Sequence, residues 1–89
     1  MTHELKILPE YFEAVTSGRK QFEIRKNDRN FKVGDVLDLK EVNYLHDTSI
    51  SDLLLYTGDS YKAEITYITD YAQKDGYVVL GIKGTEEAE

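Results

Sequence analysis

The sequence predicts a single α+β domain in which one early helix is inserted among several β-strands. The chain has 89 residues, which is the length of one domain. Its hydrophobic content of 40% and aromatic content of 11% are sufficient for a folded core. Apolar residues follow a helical spacing once, near the N-terminus, and alternate along most later segments. This order of elements is typical of a curled sheet or a small barrel.

The first two predicted elements are a short strand and a helix. Residues 3–8 alternate weakly between polar and apolar side chains, as a strand would. Pro9 follows at the first helical position, where its missing N–H group costs nothing. Gly18 is predicted to end the helix in the left-handed conformation. The apolar residues spaced for one helical face are Leu8, Tyr11, Phe12 and Val15.

Two strands joined by polar connectors are predicted next. Residues 21–26 alternate, with two apolar side chains on one face and two charged side chains on the other. A polar turn at 27–30 and a second connector lead to a third strand at 36–42. Leu37 and Leu39 are its predicted inward residues.

The C-terminal half is predicted to contribute the last two strands, at 62–69 and 77–83. Their predicted inward residues are Ala63, Ile65 and Tyr67 in the first strand and Val78, Leu80 and Ile82 in the second. Residues 43–60 show no strand period, so a short helix or a packed loop is predicted there. No repeat or linker divides the chain, which predicts one domain over residues 1–83 and a frayed acidic tail at 84–89.

The absence of cysteine restricts both the chemistry and the expected location. It excludes disulfides, thiolate metal sites and a thiol nucleophile. A secreted domain of this size would ordinarily carry disulfides, so a cytoplasmic location is predicted. No segment has the roughly 20 apolar residues of a membrane span, and the N-terminus lacks a signal-peptide pattern. His3 and His46 have no companions at metal-ligand spacing, so neither a metal nor another cofactor is predicted.

Charged residues are unevenly distributed along the chain, whose formal net charge is -6. Residues 19–32, here named the basic segment, contain six basic and two acidic residues and therefore carry +4. The remainder has five basic and fifteen acidic residues and carries -10. The acidic remainder argues against indiscriminate nucleic-acid binding, whereas the basic segment would attract an anion locally.

The start of the basic segment carries a recognisable motif. Residues 18–25 read Gly-Arg-Lys-Gln-Phe-Glu-Ile-Arg and match the pattern G-x-K-x-x-E-x-R at every fixed position. With the flanking stretches 5–12, 25–29, 33–35 and 76–83, the chain resembles a bacterial and phage branch of the ASCH family within the PUA-like superfamily. The resemblance implies a PUA-like small mixed β-barrel, with one early helix packed against it and a cleft under that helix.

An RNA- or nucleotide-binding site is the function that the resemblance implies. Spacing alone places Glu23 and Arg25 on one strand face, with Lys20 just before the strand. A carboxylate between two cations would hold the arginine in position for a phosphate or a base edge. The competing interpretation is a surface ion pair on a solvated face, worth roughly 0–1 kcal/mol. The residues carried over from the motif are Gly18, Lys20, Glu23 and Arg25.

Residues outside the fixed motif positions would extend such a site. Lys26 and Arg29, in or beside the polar turn, would widen the phosphate contact, or else form an ordinary solvated loop. Tyr11, Tyr44 or Tyr56 would stack on a base, although a tyrosine in a thin core more often packs there.

Two other functions compete with binding. In a branch of the superfamily that resembles small amidohydrolases of acylated nucleosides, a threonine nucleophile occupies the place of Glu23. Lys20 would stabilise an oxyanion and Glu23 would act as a general base, but the missing hydroxyl favours binding over catalysis. The third hypothesis is a protein-interaction domain, because residues 50–56 contain several leucines that would be exposed.

Overall fold

The computed structural model describes residues 1–45 and 53–85. Among these residues, one helix and five strands follow each other in the predicted order. The helix begins at Pro9, as the position of that proline predicts. The elements are β1 (Thr2–Ile7), α1 (Pro9–Thr16), β2 (Phe22–Lys26), β3 (Val36–Leu45), β4 (Leu53–Thr69) and β5 (Tyr77–Gly84).

The strands form one mixed sheet in the order β1-β3-β4-β5-β2. β1 pairs with β3 in parallel, and the three other pairings are antiparallel. The sheet curls into a half-barrel, and α1 packs against β3. The predicted α+β class and small barrel-like architecture are therefore confirmed at this level.

The core is built from the inward residues of the alternating strands. Leu37 and Leu39 of β3 and the predicted inward residues of β5 are buried, because successive side chains of a strand point to opposite faces. From α1, Val15 is buried and Phe12 packs against the core, whereas Tyr11 is 49% exposed. The side chains with no exposed surface are Leu37, Leu39, Ala63, Ile65 and Leu80.

The prediction of a short helix or packed loop over residues 43–60 is wrong where the structure describes them. β3 continues to Leu45 and β4 begins at Leu53, and these two residues pair. The strand period is interrupted because Glu41 lies opposite residues 57–59, where the pairing register shifts. Gly58 has a φ of 100° in this bulge, a conformation that glycine adopts readily. Residues 46–52 lie outside the described part.

The predicted inward face of β4 is wrong at Tyr67, because this strand contains a second bulge. Ala63 and Ile65 are fully buried as predicted, but Tyr67 is 65% exposed. The register shifts between Ile65 and Tyr67, so the alternation changes face at Thr66. Ile68 consequently packs against the core in place of Tyr67.

Two arginine side chains, one on β2 and one in the connector that follows it, bond to the edge strand β1. Arg25 Nη2 donates to the Lys6 carbonyl at 3.0 Å, and Arg29 Nη1 donates to the Glu4 carbonyl at 2.6 Å. We name this pair the arginine clasp. It satisfies carbonyl groups that an edge strand would otherwise leave open to solvent or to another chain.

β5 extends one residue beyond the predicted domain end at 83. It reaches Gly84, and the amide of Thr85 then donates to the Lys62 carbonyl at 3.0 Å. The predicted tail beyond Thr85 lies outside the described residues. In the part of the chain that is described, no helix combines the length and the apolar content that crossing a membrane requires.

Candidate functional site

A cleft of about 460 Å³ opens between the end of β1, the start of α1 and the edge strand β2. We name it the first cleft. Lys20 and β2 form one side, and the β1–α1 junction forms the other. Its lining residues are Lys6, Ile7, Leu8, Tyr11, Lys20, Phe22, Glu23, Ile24 and Arg25.

The turn after α1 places the motif at this cleft. Gly18 ends the helix with a φ of 86°, as its predicted left-handed role requires. The Lys20 amide donates to the Ala14 carbonyl at 3.0 Å, which folds the chain back along the helix end. β2 begins two residues later and pairs with β5, so Glu23 and Arg25 are fixed on a rigid strand.

Glu23 is at the centre of a charged triad. Lys20 Nζ donates to Glu23 Oε2 at 2.6 Å, and Arg25 Nε donates to Glu23 Oε1 at 3.1 Å. The Glu23 side chain is only 5% exposed, against 19% for Lys20 and 25% for Arg25. The interpretation as a surface ion pair on a solvated face therefore does not hold for Glu23.

The sheet register explains why this carboxylate is buried. Glu23 lies opposite Leu80 and Arg25 opposite Val78, both core residues of β5. Paired residues of an antiparallel ladder present their side chains on the same face. β2 thus turns Glu23 and Arg25 towards the core and leaves Phe22 and Ile24 42% and 52% exposed.

Two aromatic rings flank the Lys20 ammonium. Its Nζ lies 5.0 Å from the centroid of the Phe22 ring and 5.7 Å from that of Tyr11. Both distances are within the range of a cation–π interaction. Tyr11 is one of the three stacking candidates predicted above, whereas Phe22 was not among them because its spacing indicated only an apolar strand face.

The remaining predicted site residues lie outside the first cleft. Arg29 is held by the clasp to the Glu4 carbonyl, and Lys26 is exposed at the end of β2. Gly18 lines a different cleft, on the other side of the turn that follows α1. Of the six predicted site residues, the structure therefore brings Lys20, Glu23 and Arg25 together.

A second polar cluster lies at the other end of β1. Although His3 lies close to the N-terminus, it is only 5% exposed, and its Nε2 lies 2.8 Å from Asp35 Oδ2. The same Oδ2 accepts the Lys32 amide at 3.1 Å, and the His3 ring packs edge-on against Phe31. This cluster fixes the connector before β3 against β1. Within residues 1–45 and 53–85, no three His, Cys, Asp or Glu side chains converge to hold a metal.

We expect this cluster to make the fold sensitive to acid. The hydrogen bond with His3 is the main cause that lowers the pKa of Asp35 from 3.8 to about 2, with help from the Lys32 amide and the N-terminal ammonium. Because the folded pKa is the lower one, the ionised carboxylate stabilises the fold fully above the unfolded value. That stabilisation is lost as the pH falls from about 4 to about 2.

Urea unfolding at several pH values tests this expectation. Asp35→Asn should be less stable than the wild type at neutral pH and should show a flatter pH dependence between about 4 and 2. Asp28→Asn, at an exposed position, is the control and should keep the wild-type slope. Parallel slopes for Asp35→Asn and the wild type would show that Asp35 is not the sensitive group.

Comparison with known proteins gives two similarities. Residues 2–82 match the family described as "Domain of unknown function (DUF3850)". The chain is also 37% identical, over 79 residues, to a protein of Escherichia phage P2 named "Uncharacterized 12.9 kDa protein in GpA 3'region". That alignment covers 88% of this chain and 64% of the phage protein. The predicted relationship to a phage protein is confirmed.

Proposed function

The chain belongs to the family described as Domain of unknown function (DUF3850), and from the geometry of its first cleft we propose that it binds RNA or a nucleotide-like ligand. The proposal includes the finer placement of the fold among PUA-like ASCH domains, which the motif at residues 18–25 supports. The observation that carries it is the buried Glu23 carboxylate held between Lys20 and Arg25 at the wall of the cleft.

The size and the apolar lining of the cleft suit a nucleobase. A volume of about 460 Å³ falls within the range of small-ligand sites. Tyr11 and Phe22 are 49% and 42% exposed and provide aromatic rings for stacking, an interaction worth about 1–3 kcal/mol per base. Stacking tolerates any base, so specificity would come from the polar groups beside it.

The charged triad supplies those polar groups. Glu23 engages only one donor of Arg25, and the clasp engages another, which leaves guanidinium N–H groups for a phosphate or a base edge. The ion pairs fix the two cations in place before a ligand arrives, which reduces the entropy lost on binding. Glu23 therefore acts as an orienting residue in this proposal, and Lys20 and Arg25 contact the ligand.

The two competing hypotheses have less support. Each Glu23 oxygen already accepts one hydrogen bond from a cation, which leaves it one lone pair instead of two for the water that a general base would activate. Of the leucine-rich residues 50–56, which motivated a protein-interaction role, residues 50–52 lie outside the described part and residues 53–56 pair with β3 as the start of β4.

Amide NMR titration of the labelled protein tests the proposal. Nucleoside monophosphates and a short single-stranded RNA should shift resonances of Tyr11 and of residues 20–25. Lys20→Gln should weaken binding about ten- to hundredfold, since charge-assisted hydrogen bonds contribute about 1.5–3 kcal/mol.

Arg19→Gln is the matched control for this experiment. Arg19 belongs to the same basic segment, but it pairs with Glu13 on the surface and does not line the first cleft. Its substitution should leave the affinity unchanged. Equal losses for both variants would assign the binding to general charge in the basic segment, and the absence of shifts with every ligand would refute the proposal.

A further inference from the structure

A second cleft of about 510 Å³ lies on the other side of the turn that follows α1. Lys20 lines both clefts, so the two are adjacent across the segment 18–21. The second cleft is formed by this segment together with β4 and β5. Its lining residues are Val15, Gly18, Lys20, Gln21, Tyr61, Thr66, Ile82, Lys83 and Gly84.

The chemistry of the second cleft suits an anion. Its lining contains two lysines and no acidic residue, in a chain whose net charge is -6. Lys83 faces Glu64 in the sheet register, yet within the described residues Lys83 forms no ion pair. The hydroxyl groups of Tyr61 and Thr66 likewise have no hydrogen-bond partner among the described residues, which leaves them available to a ligand.

Two local features of the sheet shape this cleft. The bulge between Ile65 and Tyr67 exposes Thr66 on the lining. Gly84 provides the space that the Tyr61 side chain occupies, because a Cβ at this position would lie 2.0 Å from the Tyr61 hydroxyl oxygen. Any larger residue at 84 would displace the phenol, so the position of its hydroxyl depends on this glycine.

We propose that the second cleft binds a backbone phosphate of the ligand whose base occupies the first cleft. The inference rests on the proposed function and makes it narrower. A mononucleotide would fill one cleft only, whereas a single-stranded chain would pass Lys20 and reach Lys83 in the second. The ligand class is therefore a single-stranded nucleic acid of at least two nucleotides.

The test compares ligands of increasing length on matched variants. We would titrate three ligands against the wild type, Lys83→Gln and Lys62→Gln. The ligands are adenosine monophosphate, the 3'–5' linked RNA dinucleotide of two adenosines, and a hexanucleotide RNA. Lys62 is an exposed lysine of β4 that lines neither cleft, so it controls for the loss of one positive charge. The titrations are repeated at several salt concentrations.

We expect Lys83→Gln to weaken binding of the two longer ligands roughly three- to fivefold and to leave the monophosphate unaffected. The salt slope for the hexanucleotide should fall by about 0.7, the value for one lost phosphate contact on a single strand. Lys62→Gln should change neither quantity.

Two outcomes overturn the inference, and they can be told apart. If the hexanucleotide binds in a Lys20-dependent manner while Lys83→Gln keeps the wild-type affinity and salt slope, the second cleft is not a phosphate site and the proposed function survives. If no ligand binds any variant, the proposed function fails together with the inference.

Discussion

Glu23→Gln is expected to lower the free energy of unfolding by about 2–3 kcal/mol, near the low end for a broken buried ion pair. The amide keeps the shape of the side chain but removes the charge that compensates both Lys20 and Arg25. These two cations retain some contact with water, which is why the loss should not reach the upper end of the range. For a domain of this size the melting temperature should fall by about 10–20 °C.

The control for this prediction is Glu13→Gln. Glu13 also pairs with an arginine, Arg19, at 2.6 Å, but both side chains are 63% exposed. Exposed pairs gain little because water solvates the separated charges. Thermal unfolding of both variants should therefore show a large shift for Glu23→Gln and none for Glu13→Gln. Equal shifts would mean that burial of Glu23 does not determine the effect.

Leu80→Ala is expected to cost about 3–4 kcal/mol of unfolding free energy, as large-to-small substitutions in closed cores do. Leu80 has no exposed surface and pairs with Ile68 on one side and Glu23 on the other. The truncation would leave a cavity next to the charged triad. We therefore expect the resonances of Lys20 and Arg25 to shift in the spectrum of this variant.

Ile24→Ala provides the comparison on the neighbouring strand. Ile24 lies on the outer face of β2 and is 52% exposed, so its truncation should cost less than about 1 kcal/mol. Urea unfolding of the two variants measures the difference. A loss for Ile24→Ala as large as that for Leu80→Ala would contradict the assignment of the two faces.

Much of the fold could be predicted because it depends on local patterns. Pro9 and Gly18 bound the helix, and the alternation in β3 and β5 identifies their inward residues. The motif places Lys20, Glu23 and Arg25 close together by spacing alone. The bulges at residues 57–59 and at Thr66 of β4 were not predicted, because a register shift depends on the partner strand.

The parts that sequence reasoning missed depend on long-range partners. His3 is buried because Asp35, 32 residues away, accepts its hydrogen bond. Glu23 is buried because its strand pairs with β5 in a register that turns charged side chains inwards, against the usual preference for apolar ones. Arg29 bonds a carbonyl of β1, which no spacing in the sequence indicates.

The position of β2 in the sheet has a consequence for synthesis of the chain. Of the strands in the described residues, β2 is the second to leave the ribosome, whereas its partner β5 is the fifth. Until residues 77–84 emerge, Phe22–Lys26 lacks the strand with which it pairs, so the cleft cannot form before β5 has left the ribosome. The pairing of β2 with β5, which is distant in the sequence, also raises the contact order. We therefore expect the domain to fold on the slower, millisecond-to-second timescale of small domains. The motif is therefore synthesised early and reaches its folded geometry late.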